Sequence, residues 1–192
     1  EVSCNSRSAE VKGSIYCTTA TADLVKLMLI DSAHIQANDV KHINKRRLRD
    51  DRPLVEPLYT SEDAEKVFEL LVPVQYNELL KVDDQISVIF SDCGHILGSA
   101  AINIRIQEEG RVKTICFSGD VGRYRDMILR APEVFPQADY IIMESTYGNK
   151  LHEEHIPSVE RFLDILTDTC LKRKGKLIIP AFSIGRTQEL LY

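Results

Sequence analysis

Three residues capable of metal binding or proton transfer stand directly after predicted strands: His95, Asp120 and Glu144. Glycine on both sides of His95 permits a sharp turn that exposes the imidazole at the end of its strand. If three strands form a meander and a crossover makes the fourth parallel to the third, the loops that carry these residues meet at one edge of the sheet. An imidazole and two carboxylates on one edge have the donor types of a zinc or hard-metal site.

Each of these residues also has an ordinary structural interpretation. A histidine in a glycine-rich loop is commonly a hydrogen-bonded surface residue, and Gly-Asp after a strand is commonly a turn with an Asx cap. Glu144 would equally cap Thr146 or the segment that follows. Only the convergence of the three favours a functional site, so both interpretations stay open on the residues alone.

The elements that must place these residues are recognised by their apolar periodicity. Strands are predicted at residues 13–17, 85–90, 100–106, 112–117, 139–143 and 176–179. Helices are predicted from residue 21 to about 38, from Thr60 or Ser61 to Pro73, from Ser158 to Gly175, and from Arg186 onward. We expect Glu109-Gly110 to form a tight hairpin turn, and residues 139–143 to be buried on both faces. This alternation predicts an α/β fold, or an α+β fold with layered sheets.

Composition bounds the class of protein. The chain has 192 residues, 44% of them hydrophobic, with 24 basic and 29 acidic side chains and a net charge of −5. A real core is expected at this length, and the composition excludes a disordered tail, a collagen-like fibre and a disulfide miniprotein. The negative charge argues against coating nucleic acid by bulk charge, although a local basic groove is compatible with it. Five cysteines without a Cys-x-x-Cys pair predict reduced thiols in a cytoplasmic protein. No apolar run approaches the roughly 20 residues of a membrane span, so we expect no membrane partner.

Three other segments carry weaker signals. Residues 152–155, His-Glu-Glu-His, are one residue too short for the zinc motif His-Glu-x-x-His, so we interpret them as a polar helix entry. The basic run at residues 45–52 can contact phosphates or form a solvated loop, and two aspartates dilute its charge. Residues 180–187 join a predicted strand to a predicted helix, where free amides and Arg186 suit a phosphate.

Four ordered motifs resemble the metallo-β-lactamase superfamily, specifically its β-CASP branch, the ribonucleases that include the RNA-cleaving subunit of 3′-end processing. The motifs are residues 90–100, 117–123, 143–148 and 180–189. The resemblance implies a metallo-β-lactamase αββα sandwich that runs into the start of a β-CASP domain.

The resemblance also implies roles for the site residues. His95 would be a metal ligand, Asp120 the catalytic carboxylate that bridges two zinc ions, and Glu144 the acid that holds a catalytic histidine in place. RNA phosphate would be bound by Ser183, Gly185 and Arg186. Two Zn²⁺ ions in the intact protein would support hydrolysis of phosphodiester bonds in single-stranded RNA. Homodimerisation and the choice between endonuclease and exonuclease activity stay open.

The sequence departs from the family pattern at its first motif. The signature His-x-His-x-Asp-His should precede the strand at residues 13–17, yet residues 1–12 contain no histidine. We therefore interpret the chain as an internal fragment. Residues 1–148 would be a partial metallo-β-lactamase domain without that signature, and residues 149–192 the beginning of a β-CASP domain. Such a fragment is expected to bind zinc weakly or not at all and to be inactive.

Two hypotheses from different classes follow. The first is a fragment of a zinc-dependent RNA hydrolase, and the alternative is a non-catalytic paralogue that acts as a scaffold in an RNA-processing complex. Retention of His95, Asp120 and Glu144 favours the enzyme, because a dead site has little physical reason to keep all three. A hydrolase of small esters or thioesters is disfavoured by residues 180–189, which resemble the nucleic-acid branch.

Overall fold

The computed structural model describes residues 13–150 and 159–192, which form a mixed α+β structure. The strands are β1 Ile15–Thr18, β2 Leu71–Val74, β3 Leu80–Lys81, β4 Ile86–Asp92, β5 Ala100–Glu108, β6 Arg111–Phe117 and β7 Tyr140–Ile142. The helices are α1 Thr19–Arg49, α2 Ser61–Phe68, α3 Val159–Leu166 and α4 Arg186–Leu191, and a π-helical turn, Thr167–Lys172, extends α3. The predicted combination of helices and sheets is confirmed at this level.

The larger sheet has the strand order β3-β4-β5-β6-β7. Strands β3 to β6 are antiparallel neighbours, whereas β7 is parallel to β6, as the expected crossover requires. Glu109 and Gly110 join β5 to β6 with φ angles of 48° and 72°, the two positive values typical of a type I′ hairpin turn. The ends of β4, β6 and β7 therefore meet at one edge of this sheet.

The smaller sheet pairs β1 with β2 in parallel, with Cys17 opposite Pro73. The prediction that Pro73 ends α2 is wrong, because the helix ends at Phe68 and the chain then enters β2. Ile15 N–H donates to the Leu70 carbonyl at 2.8 Å, so pairing with β1 draws these residues into a strand. A proline is tolerated there because β2 pairs on one side only, among the described residues.

Helix α1 is longer than predicted, because it continues through the basic run to Arg49 instead of ending near residue 38. Apolar periodicity fades in that part, yet no glycine or proline interrupts residues 19–49. Lysine and arginine are good helix formers, and basic residues in the last turn complement the negative end of the helix dipole. The backbone turns away at Asp51, which has a φ of 52°. In the ranges the structure describes, neither α1 nor any other helix is long and apolar enough to span a membrane.

The strand predicted at residues 139–143 forms as β7, but its predicted burial is wrong, and the strand predicted at residues 176–179 does not form. Tyr140, Ile141 and Ile142 of β7 are 57%, 65% and 55% exposed, so the expected burial on both faces is wrong. Residues 176–179 form no strand. Both segments are mostly apolar. Within residues 13–150 and 159–192, however, no further strand pairs with the outer side of β7, and no strand pairs with residues 176–179.

Small side chains form the buried core of the larger sheet. Cys93, Ala101 and Cys116 are at most 2% exposed, and Phe135 and Ala138 pack against them from the crossover segment. Burial raises the pKa of the Cys116 thiol above its usual value, which makes it a poor nucleophile. The core cysteines thus act as small hydrophobic residues.

Replacement of Thr60 by alanine tests the start of α2. Thr60 and Asp63 form a capping box, with the Asp63 N–H donating to the Thr60 hydroxyl and the Thr60 N–H donating to the Asp63 carboxylate. We expect Thr60→Ala to lower the free energy of unfolding by about 1 kcal/mol. Urea denaturation measures it, with Ser61→Ala as the control. An equal loss in both variants would contradict the cap assignment.

Candidate functional site

The loop that carries His95 is held by one serine and two threonines. The Ser99 hydroxyl accepts from the backbone N–H groups of His95 and Ile96 at 3.1 and 3.2 Å. The hydroxyls of Thr18 and Thr21, at the start of α1, lie 2.7 and 2.9 Å from the Gly98 carbonyl. These bonds couple the β4–β5 loop to the start of α1 and limit the movement of the imidazole.

The two loops at the ends of β4 and β6 touch through their backbones at two glycines. The Gly122 N–H donates to the Cys93 carbonyl at 2.8 Å. A Cβ atom on Gly122 would lie 1.7 Å from the Gly94 carbonyl oxygen, so this contact admits no side chain at position 122. His95 lies one residue and Asp120 two residues from this contact, which therefore brings the two loops that carry them close together.

The structure brings His95 and Asp120 together at the predicted edge. His95 Nε2 and Asp120 Oδ2 are 3.5 Å apart, and both side chains are partly exposed, at 44% and 66%. That spacing suits two donors that face one cation from adjacent loops, and it equally suits an ion pair when the histidine is protonated. Among the described residues, no third histidine, cysteine, aspartate or glutamate completes a metal-binding group.

Glu144 reaches the same edge from β7 and positions the loop that carries Asp120. Its Oε1 accepts from the Val121 N–H at 2.9 Å, and its own N–H donates to the Ser118 hydroxyl at 3.4 Å. The side chain is half-buried. The carboxylate of Glu144 therefore braces the backbone immediately after Asp120, which is an orienting contact.

Parts of all four sequence motifs line one groove of about 1170 Å³. His95, Asp120 and Glu144 form one side of it, while Gly185 and Arg186 contribute from the C-terminal segment. Ser183, the third residue predicted to contact phosphate, is not among the lining residues. Two of the three residues predicted to contact phosphate, Gly185 and Arg186, therefore line the groove, and Ser183 does not.

Arg186 is already engaged within α4, since its guanidinium pairs with Glu189 three residues later. The N-terminal Gly185 has a φ of 86°, and its N–H donates to the Gln188 side chain at 2.7 Å. A phosphate at this position would have to compete with both partners. The C-terminal segment is therefore close to the groove but is not a preformed anion site.

Asp126 and Arg123 also line the groove and were not identified from the sequence. Backbone N–H groups of Leu129 and Ile128 donate to the Asp126 carboxylate and hold its pKa below the usual value, and the positive charges of Arg123 and Arg186 act in the same direction. An Asp-x-Ile-Leu turn signal was available in the sequence, but only the folded chain shows that it faces the groove.

Comparison with characterised proteins adds an independent finding. A ribonuclease of Thermus thermophilus is 34% identical over 181 residues, which are 94% of this chain and 36% of that protein. Transcription termination factor FttA of Thermococcus kodakarensis is 33% identical over 184 residues, and FttA of Methanosarcina mazei is 30% identical over 183. The chain spans about a third of the ribonuclease's length and about a quarter of each factor's. No protein-family model matches it.

Replacement of Gly122 by alanine tests the contact between the loops. Because the new methyl group would overlap the Gly94 backbone, both loops must shift, and we expect a loss of about 1–3 kcal/mol in the free energy of unfolding. Gly148→Ala is the control, since its Cβ would approach the Ser145 carbonyl oxygen to 3.3 Å, a tight contact that a shift of a few tenths of an ångström relieves, against 1.7 Å at position 122. Urea denaturation compares the two. Equal stability of both variants would refute the close approach.

Proposed function

We propose that the intact protein containing this chain is a metal-dependent ribonuclease of the β-CASP branch of the metallo-β-lactamase superfamily. One observation carries the proposal: His95 and Asp120 come within 3.5 Å at one sheet edge, in a groove lined by all four motifs. The similarity to a protein named as a ribonuclease supports the same interpretation, as does the similarity to termination factors. The proposed domains are residues 1–148, a partial metallo-β-lactamase domain, and residues 149–192, the start of a β-CASP domain.

His95 and Asp120 are the proposed ligands for zinc in the intact protein. Their nitrogen and oxygen donors are of the type zinc prefers, but two ligands are fewer than the three or four of a stable site. Further ligands must come from outside the described residues. When bound, paired zinc ions would supply a nucleophile near neutral pH and neutralise phosphate charge.

The chain's own residues prepare the site for such a ligand set. The contact between Gly94 and Gly122 sets the spacing of the two loops, and Glu144 fixes the backbone that follows Asp120. Arg123 brings positive charge to the groove, where it would attract an RNA phosphate, whereas Arg186 would first have to leave Glu189. Single-stranded RNA is the proposed substrate.

A second candidate is a non-catalytic scaffold with the same fold. The observation that favours it is the incomplete ligand group, since the described residues supply only His95 and Asp120. The two candidates differ in what the intact protein does to RNA: the first cleaves it, while the second binds without cleavage.

Loss of the Asp120 carboxylate tests the role of this residue in the proposed ribonuclease. In the intact protein, we expect Asp120→Ala to reduce RNA cleavage by at least about 100-fold with little change in the fold, because the side chain is exposed and its removal leaves the core intact. Gel assays with a labelled single-stranded RNA measure cleavage, and circular dichroism monitors folding. Asp84→Ala, an equivalent change away from the groove, is the control.

Cleavage at a comparable rate by Asp120→Ala, with zinc still bound, would reject the assigned role. Absence of cleavage by the unmodified intact protein, with zinc bound, would favour the scaffold.

The isolated 192-residue chain provides a further test. We expect negligible nuclease activity and weak or no zinc binding, because the described ligand group is incomplete. Zinc titration followed by calorimetry and an RNA cleavage assay measure both properties. Zinc-dependent cleavage by the pure chain would show that residues 1–192 already hold a complete site.

A further inference from the structure

The last three turns of α1 carry a basic face that the proposed active site does not use. Between Asp39 and Asp50 the chain has five basic residues and no acidic one. Four of them, Lys41, Lys45, Arg46 and Arg49, have exposed side chains. At 3.6 residues per turn these four lie within an arc of about 140° on the helix surface.

The fifth basic residue, Arg47, has a structural role on another side of the helix. Its Nε donates to the Pro53 carbonyl at 2.5 Å and thereby fastens the segment that follows the helix. Asn44 does the same through two hydrogen bonds to the backbone of Val55, at 2.8 and 2.9 Å. The returning segment therefore covers the side of α1 that carries Asn44 and Arg47, and the basic face points away from it.

None of the four basic side chains makes an ion pair or a hydrogen bond with any residue that the structure describes. The negative end of the helix dipole favours basic residues in the last turn, which accounts for Arg46 and Arg49 at their positions. The effect does not extend beyond one turn. It does not explain Lys41 and Lys45. These four cations, which have no ion-pair partner among the described residues, give this face a local positive charge in a chain whose net charge is −5.

From these observations we infer that the basic face of α1 binds the phosphate backbone of single-stranded RNA at a distance from the groove. The inference rests on the proposed function for the identity of the polyanion. The Gly98 loop holds the start of α1 next to His95. Lys41 lies 22 residues beyond Thr19, the first residue of α1, which is about 33 Å along the helix axis. Arg49 lies about 45 Å from Thr19 along the same axis.

Those distances set a length requirement on the RNA. At about 3.4 Å per stacked nucleotide, a strand needs roughly 10 nucleotides to extend from the His95 loop to Lys41. An RNA of about 4 nucleotides that occupies the groove is too short to reach the basic face even when its backbone is fully extended. An RNA of about 25 nucleotides can contact both.

The test replaces Lys41, Lys45, Arg46 and Arg49 of the intact protein by glutamine and measures RNA binding by fluorescence anisotropy at several salt concentrations. For the longer RNA, we expect the slope of log K against log salt to fall in magnitude by about 3, since each phosphate that is no longer neutralised removes roughly 0.7 from it. Affinity at about 0.1 M salt should drop at least about tenfold. For the shorter RNA, slope and affinity should stay unchanged.

A matched control removes the same charge elsewhere. Lys81, Arg105, Arg111 and Lys113 are exposed cations on the larger sheet, away from the edge that carries His95, and their replacement by glutamine gives the same net charge. This variant should bind both RNAs with nearly normal slopes. Thermal melting confirms that both variants are folded.

An unchanged slope for the long RNA would overturn the inference, and so would equal losses in the two variants or for the two RNA lengths. Binding of an acidic protein by this face would give the first of these results. The outcome is separate from the proposed activity: a length-dependent loss of binding in a protein that never cleaves RNA would support the basic face and reject the ribonuclease.

Discussion

The contact between two loop backbones at Gly94 and Gly122 is the constraint on which the site depends. No side chain fits between position 122 and the Gly94 carbonyl, so the loops at the ends of β4 and β6 approach as closely as polypeptide backbones can. His95 and Asp120 each lie within two residues of that contact. From these closely packed loops the two side chains come within 3.5 Å of each other.

Hydrogen bonds from distant parts of the chain hold the two loops at this edge of the sheet. Thr18 and Thr21 fasten the His95 loop to the start of α1, and Glu144 fastens the Asp120 loop to the end of β7. Helix α1 therefore begins next to the His95 loop and ends in a cluster of cations. The two ends of this 31-residue helix thus carry different groups, hydroxyls next to the His95 loop and cations in the last turns.

Local sequence signals predicted those elements whose causes are local. The start of α2 at Thr60, the positive-φ turn at Glu109-Gly110 and the glycine at the start of α4 all depend on neighbouring residues, and each lies where it was predicted. Predictions failed where a distant partner decides. Residues 71–74 became a strand because β1 was available to pair with them, whereas residues 176–179 found no partner among the described residues.

The amino-acid sequence alone determined the types of functional group at the site and the order along the chain of the strands that precede them. Both could be predicted because glycines that mark turns and apolar residues that mark strands are signals confined to a few neighbouring residues. The sequence also indicated the meander and crossover that bring His95, Asp120 and Glu144 to one edge. Only the tertiary structure decided that Glu144 accepts a hydrogen bond from the Val121 N–H and that the backbones at Gly94 and Gly122 pack without room for a side chain. Both contacts join segments that lie more than 20 residues apart in the sequence, and local residue spacing does not encode them.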